Sequence, residues 1–255
     1  SAMNCTLCPR KCNIDRTRSL GACTSPAALK VARAALHMWE EPCISGTRGS
    51  GTVFFSGCSL GCVFCQNREI SDGSVGKALP DSRIADIMLE LEAQGAHNIN
   101  FVTPTHYTSL LVPVLERIKP TLGIPVVWNC GGYESVDTLR MLDGLVDIYL
   151  PDFKYLSPDL ARDYSAAPDY PEVATEAVLE MFRQTGKYEE VDGLTQKGVI
   201  LRHLVLPGCR ADSIAVLGHI ASILPVADIR VSVMRQYTPD FAMDCPHKNL
   251  RRRVT

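Results

Sequence analysis

Thr52-Val53-Phe54-Phe55-Ser56-Gly57-Cys58-Ser59-Leu60-Gly61-Cys62-Val63-Phe64-Cys65-Gln66-Asn67 is the stretch that decides how the rest of the chain is read. Thr52 to Phe55 has the β-branched and aromatic character of a short strand. Three thiols then follow within eight residues, spaced three and two residues apart. Thiolates at that density read as a metal loop. An iron–sulfur cubane takes four ligands, so a local set of three leaves one iron open to something other than protein. A structural zinc loop and a set of buried, unreacted thiols are the alternatives that the spacing leaves open.

The 255 residues are enough for one large α/β domain with an appendage. Net charge is −2 and no basic stripe precedes Arg251-Arg252-Arg253, so nucleic acid is not expected as the main partner. The longest apolar stretch, Ile214 to Ala227, is broken by Gly218, His219, Ser222 and Pro225, and so does not read as a membrane span. No signal-peptide core is recognisable. Ser1-Ala2-Met3 reads as an expression remnant, and the ending at Thr255, without helix or cap, reads as though a C-terminal segment were missing. Eleven cysteines, an odd number at short spacings without a secretion signal, favour metal ligation in a reducing cytoplasm over disulfides.

Upstream of the loop, Cys5, Cys8, Cys12 and Cys23 place four thiols among turn formers and charges too polar to make a core. Such a segment needs a staple, and four thiolates suit zinc and an iron–sulfur centre equally. Cys43, beside Pro42, could serve as a spare ligand, but a lone cysteine beside a proline is more often simply buried. Ala27 to Met38 carries Leu29, Ala32 and Leu36 at roughly helical spacing, extended by Trp39, which predicts a helix against the main domain. His37 on that face is ambiguous, since a single histidine so placed is more often a hydrogen-bonded core residue than a metal ligand. Residues 1–50 are therefore taken as a Cys-rich extension and 51–255 as the main domain.

Strand-like runs alternate with helical periodicity through the main domain. The strands are expected at Thr52–Phe55, Asn98–Thr103, Pro125–Asn129, Val146–Leu150, Val199–Leu206 and Ile229–Met234. Helices are expected at Ser82–Gln94, Thr108–Lys119, Ser135–Leu142, Pro171–Gln184 and Asp212–Leu224. Alternation of this kind implies a parallel sheet with right-handed crossovers. Six units fall short of a closed eight-stranded barrel, so the prediction is an α/β fold, an open, partial (βα)6 TIM-like barrel with a small N-terminal metal-binding extension. Ligands then belong at the carboxyl ends of the strands. Polar or unusual residues do follow the strands there: Thr103-Pro104-Thr105-His106-Tyr107, Asn129-Cys130-Gly131-Gly132-Tyr133, Pro151-Asp152-Phe153-Lys154, Arg202-His203 and Arg235-Gln236-Tyr237.

With those residues in view, the chain resembles the radical S-adenosylmethionine (SAM) superfamily. It is most similar to an uncharacterised branch of pyruvate formate-lyase-activating-enzyme-like proteins. Besides the three-cysteine loop, the match is carried by Cys5-Thr-Leu-Cys8-Pro-Arg-Lys-Cys12, Glu41-Pro-Cys-Ile-Ser-Gly46, Asn98 to Tyr107, Asp147 to Tyr155 and Arg202-His-Leu-Val-Leu-Pro-Gly208. The resemblance implies that Cys58, Cys62 and Cys65 ligate a [4Fe–4S] cluster whose open iron chelates SAM. Phe64 corresponds to the adenine contact and is followed by Gln66-Asn67, as in the activases. Asp152 and Lys154 match an Asp-x-Lys near a cation site and the SAM carboxylate, and Arg202 looks like the arginine that pairs with SAM. Asn129 stands where activases place a cation-site carboxylate, which weakens the case for a cation, and Gln236 and Tyr237 lie where they contact the nucleoside. Activases carry Gly-Gly-Glu after the second strand. Here the SAM amino group is expected at the backbone around Thr103 to Thr105, with His106 in reach.

The family's chemistry would make this an enzyme that splits SAM reductively to a 5′-deoxyadenosyl radical for hydrogen abstraction. It would draw electrons from a donor such as flavodoxin or ferredoxin. Its substrate would be a backbone glycine of a glycyl-radical enzyme, or else a small molecule or peptide. A different class is a non-catalytic, metal-stapled scaffold or electron carrier.

Overall fold

The computed structural model describes residues 4–255; the expected expression remnant at 1–3 lies outside the described residues. In chain order the strands are β1 (Lys30–His37), β2 (Ser50–Phe55), β3 (Lys77–Ala78), β4 (Ile99–Val102) and β5 (Val126–Cys130). They continue with β6 (Ile148–Pro151), β7 (Glu189–Val191), β8 (Leu194–Leu204) and β9 (Arg230–Met234). The helices are α1 (Pro42–Ser45), α2 (Arg68–Ser71), α3 (Asp81–Ala93), α4 (Thr108–Ile118), α5 (Val136–Arg140), α6 (Pro158–Ser165), α7 (Tyr170–Thr185) and α8 (Arg210–Ile223).

The six expected strands all form. β2, β4, β5, β6, β8 and β9 pair in that order, every neighbour parallel. Their sequences explain this, because β4, β5 and β6 are apolar on both faces and nearly every residue in them is buried, as parallel strands between two layers must be. Alternate side chains then serve different cores. Phe101, Trp128 and Tyr149 join the cluster that also holds α3, α4 and α7. Val127, Ile148, Leu150 and Ile200 point to the other face, where Cys43 and Ile44 of α1 close over them. Cys43 is thus a packing residue, as expected. Asn98 fastens α1 in place, donating from Nδ2 to Ile44 O (2.8 Å) and accepting from Ser50 Oγ (2.5 Å).

Among the described residues the sheet does not close. β3 and β1 add to the β2 side, while β9 pairs only with β8, which leaves a partial barrel.

The helix expected over Ala27–Met38 is not formed. Residues 30–37 are β1, antiparallel to β2 from Val31 opposite Phe55 to His37 opposite Ser50. Three alanines gave the segment helical character, but an unpaired edge beside β2 outweighs intrinsic propensity. Several further elements went unread, among them the single turn α1, the helix α6 and the β7–β8 hairpin turning at Asp192-Gly193. No helix among the described residues is long and apolar enough to cross a membrane.

Candidate functional site

The carboxyl ends of the parallel strands frame a cleft of about 510 Å³. The loop after β2 supplies Cys58, Cys62, Phe64, Cys65 and Asn67 to its wall. The ends of β4, β5, β6 and β8 add Thr103, Asn129, Asp152 with Lys154, and Arg202. Ten residues singled out from separate parts of the sequence therefore line one cavity. Four others do not. Thr105, His106, Gln236 and Tyr237 are absent from the cleft wall, which corrects the expectation that all four face the cofactor.

The cysteine loop is held from two sides. Within it, Cys65 N donates to Cys62 O (3.1 Å) and Leu60 N to Cys58 Sγ (3.4 Å). The C-terminal end of α6 meets it through Val63 N to Tyr164 O (3.0 Å) and the Cys62 Sγ to Ser165 Oγ contact (3.0 Å). Arg10 then bolts loop and helix together, donating to Ser59 O (2.8 Å), Leu60 O (3.2 Å), Ser165 O (2.7 Å) and Ala166 O. Burial pushes the Cys58 thiol up to about 11, with Cys62 adding to the rise. It raises Cys62 too, against the pull of the Lys154 ammonium. Bare thiolates are therefore disfavoured here, and a bound cation would offset that cost.

Opposite the loop lies a charged ring. Lys154 Nζ donates to Asp152 Oδ2 (2.7 Å), and Arg202 Nη2 to Asn129 Oδ1 (2.6 Å). Arg202 Nε lies 3.1 Å from Asp152 Oδ1 but out of line for a hydrogen bond. Burial pushes the Asp152 carboxyl up, yet Lys154 and Arg202 more than offset it and hold it below its usual range. Gly132 makes this possible: its φ is +82°, and a Cβ there would come within 2.2 Å of Asp152 O. Thr103, also at positive φ (54°), is a strained β-branched residue at a strand end, and such positions gather at functional sites.

Two site residues were missed in the sequence. Glu40 lines the cleft, with Oε2 3.7 Å from Arg202 Nη1, and Glu41 Oε1 stands 4.0 Å from Arg202 Nε. Burial raises the Glu40 carboxyl, with Arg202 opposing. Arg202 is thus ringed by three carboxylates. A pair of adjacent acids before a proline, next to an apolar segment, was the available signal. Trp39 also lines the cleft and is 88% exposed.

The residues that leave the cleft have other partners. Thr105 Oγ1 donates to Glu134 Oε1 (2.6 Å), whose buried carboxyl is pushed up to about 7 by desolvation. Tyr237 is buried, packs its ring 6.3 Å from Phe64 and donates to Leu250 O (2.5 Å). Gln236 is exposed and meets the loop only through its carbonyl, which accepts from Gln66 Nε2 (3.3 Å). His106 lines a second, much smaller pocket of about 10 Å³ together with Cys5, Cys8, Cys12 and Cys23. All four N-terminal thiols are therefore brought together. Burial pushes Cys8 up to about 12, with Cys23 and Cys12 adding to the rise. Among the described residues no three His, Cys, Asp or Glu side chains meet at single-ion distance, so a single ion would require the N-terminal ligands to draw together, whereas cubane ligands, each on its own iron, stand apart.

The family profile described as the radical SAM superfamily matches residues 52–208, from β2 to just past β8. An uncharacterized protein of Methanocaldococcus jannaschii is 32% identical over 260 aligned positions, which cover 97% of this chain and 70% of that protein. Among solved structures, the crystal structure of methylornithine synthase (PylB) aligns with a TM-score of 0.49 at 17% identity, over 69% of this chain. This chain spans 50% of the length of that structure.

Proposed function

The chain belongs to the radical SAM superfamily, and from that premise we propose that Cys58, Cys62 and Cys65 hold a [4Fe–4S] cluster at which SAM is cleaved to start hydrogen abstraction. The observation that carries this is the single cleft shared by the three thiols and the ends of β4, β5, β6 and β8. Its donor set fits: three thiols leave a cubane one corner free, and the cavity is of the size that takes a nucleoside-sized ligand. When bound, the cluster would supply the electron that divides the SAM sulfonium and generates a 5′-deoxyadenosyl radical.

The protein's part is binding, orientation and exclusion of water. Phe64 offers a ring for adenine, and Asn67 and the backbone at Thr103 offer polar groups beside it. Lys154, set next to Cys62 and paired with Asp152, keeps a fixed positive charge between thiolate and carboxylate. Arg202, now ringed by Glu40, Glu41 and Asp152, would offer its guanidinium fork to the SAM carboxylate. Thr105, His106, Gln236 and Tyr237 take no part in this reading.

Within the superfamily, the motifs at Cys5–Cys12, Glu41–Gly46 and Asp147–Tyr155 support the pyruvate formate-lyase-activating-enzyme-like branch. A partner protein is the favoured substrate, because Trp39 stands exposed at the cleft and large exposed aromatics are what docking surfaces carry. A glycyl-radical enzyme fits that description, with flavodoxin or ferredoxin as electron donor. The N-terminal thiols are read as a second metal site, and residues 1–50 as the extension that carries it.

Anaerobic reconstitution followed by dithionite and SAM tests the core of this proposal. Release of 5′-deoxyadenosine and methionine, lost in Cys58→Ala/Cys62→Ala/Cys65→Ala, is the expected result. A reduced protein that binds SAM and never cleaves it would point to a scaffold or electron carrier instead.

A further inference from the structure

His106 has a nitrogen that nothing in the fold explains. The side chain is 1% exposed, and its Nε2 lies 2.7 Å from Ser56 O. A carbonyl oxygen only accepts, so Nε2 must carry the proton, and the lone pair on Nδ1 is left bare. Nδ1 is buried without a partner, the only histidine nitrogen so placed among the described residues. The pocket His106 lines holds the four N-terminal thiols. An imidazole whose far N–H is tied to a backbone carbonyl is how proteins orient a metal-ligating histidine.

The surrounding chain fixes that ring against the thiol segment. Arg16 donates to His106 O and also to Ser25 O (3.2 Å) and Pro26 O (2.7 Å). Gly57 allows the contact, because a Cβ there would lie 1.9 Å from Ser25 Oγ and 2.4 Å from Cys23 O. Of the thiols, Cys8 and Cys23 are buried, and Cys12 Sγ accepts from Ala22 N (3.3 Å). The free space they share is about 10 Å³, room for one small sphere.

We infer that the N-terminal pocket is a mononuclear zinc site whose ligands are the Cys8, Cys12 and Cys23 thiolates and His106 Nδ1, Cys5 being the thiol that a four-coordinate ion does not need. The inference rests on the reading of these thiols as a metal site and supplies its metal and its fourth ligand. Loading displaces three thiol protons and none from the imidazole, which is already neutral at Nδ1.

The test uses the full chain carrying Cys58→Ala/Cys62→Ala/Cys65→Ala, so that iron of the main cleft is absent, purified without oxygen and supplied with zinc. Zinc per chain and the zinc X-ray absorption spectrum are the readouts. One nitrogen at about 2.0 Å and three sulfurs at about 2.3 Å are expected. His106→Ala should weaken zinc retention against a chelator by at least the ~10–100-fold that losing a residue which merely orients a ligand costs. His106→Cys should restore retention with an all-sulfur shell, and Cys5→Ser should change neither. A four-sulfur shell in the parent, or zinc lost in Cys5→Ser and kept in His106→Ala, overturns the inference. An iron–sulfur chromophore in place of zinc overturns it as well. A parent that holds neither zinc nor iron sinks the second-site reading itself, which separates the two failures. Should His106→Ala not fold, the parent's spectrum and His106→Cys still decide.

Discussion

Glu134→Gln should stabilise the protein at alkaline pH far more than at acid pH. Glu134 is 2% exposed, and its carboxylate accepts one hydrogen bond, from Thr105 Oγ1. Burial lifts its pKa from 4.5 to about 7. An acid whose pKa is higher folded than unfolded binds more protons in the folded state between those two values, so stability falls as pH rises through that window. Below pH 4.5 both states are protonated and nothing is lost. Above pH 7 both are ionised and the whole penalty is present. At 1.36 kcal/mol per unit, this amounts to roughly 3 kcal/mol, of which roughly 2–3 kcal/mol separates pH 5 from pH 8. Glutamine keeps the carbonyl that Thr105 needs and removes the charge. Any cost of burying its amide is the same at both pH values and cancels in the comparison. Anaerobic urea unfolding of the metal-free, reduced chains from pH 5 to pH 8 measures it. The reasoning fails if the stability profiles of wild type and Glu134→Gln run parallel across that range.

Two further outcomes follow from the cleft and its clamp. Arg202→Lys keeps the charge but loses the fork, and should weaken SAM binding about tenfold or more, the worth of one charge-assisted hydrogen bond, with iron per chain unchanged; equal affinity by titration calorimetry would remove Arg202 from the SAM site. Arg10→Ala abandons four carbonyls across two elements and should cost at least ~2 kcal/mol, read as a lower urea midpoint and faster proteolysis of the N-terminal segment; an unchanged midpoint would show that the clamp contributes nothing.

The parallel strands were legible because each is a short apolar run bounded by turn formers, and burial on both faces leaves no other reading of such a run. β1 was not, because Ala32, Ala34 and Ala35 are good helix formers and its strand state is imposed by β2, a partner thirteen residues beyond its end. The Asp192-Gly193 turn was in plain sight, since Asp-Gly between two runs is the strongest short-range hairpin signal. In the site, residues named from strand ends converged because the parallel sheet puts all those ends on one side. Glu40 and Glu41 escaped because their partner, Arg202, lies about 160 positions away in the chain. Thr105 and His106 were misplaced for a local reason: residues 105–107 form a 3₁₀ turn, so neighbours in sequence face different directions, one toward Glu134 and the next toward the N-terminal thiols.

The two thiol groups are not independent parts of the molecule. His106, on the wall of the N-terminal pocket, is tied to Ser56 O, two residues before the first cysteine of the cleft loop. Arg10, which lies between Cys8 and Cys12, holds the carbonyls of Ser59 and Leu60 inside that loop. Gly57 passes so close to Cys23 and Ser25 that no side chain fits between them. The N-terminal segment is therefore the outer wall of the loop that faces the cleft. Its own helices and strands are few, and side-chain clamps such as Arg10 and Arg16 hold it in place. If both sites hold metal as proposed, His106→Ala should loosen the cleft loop from behind, read as faster loss of iron to a chelator although Cys58, Cys62 and Cys65 are unchanged; iron lost at the wild-type rate would refute the coupling.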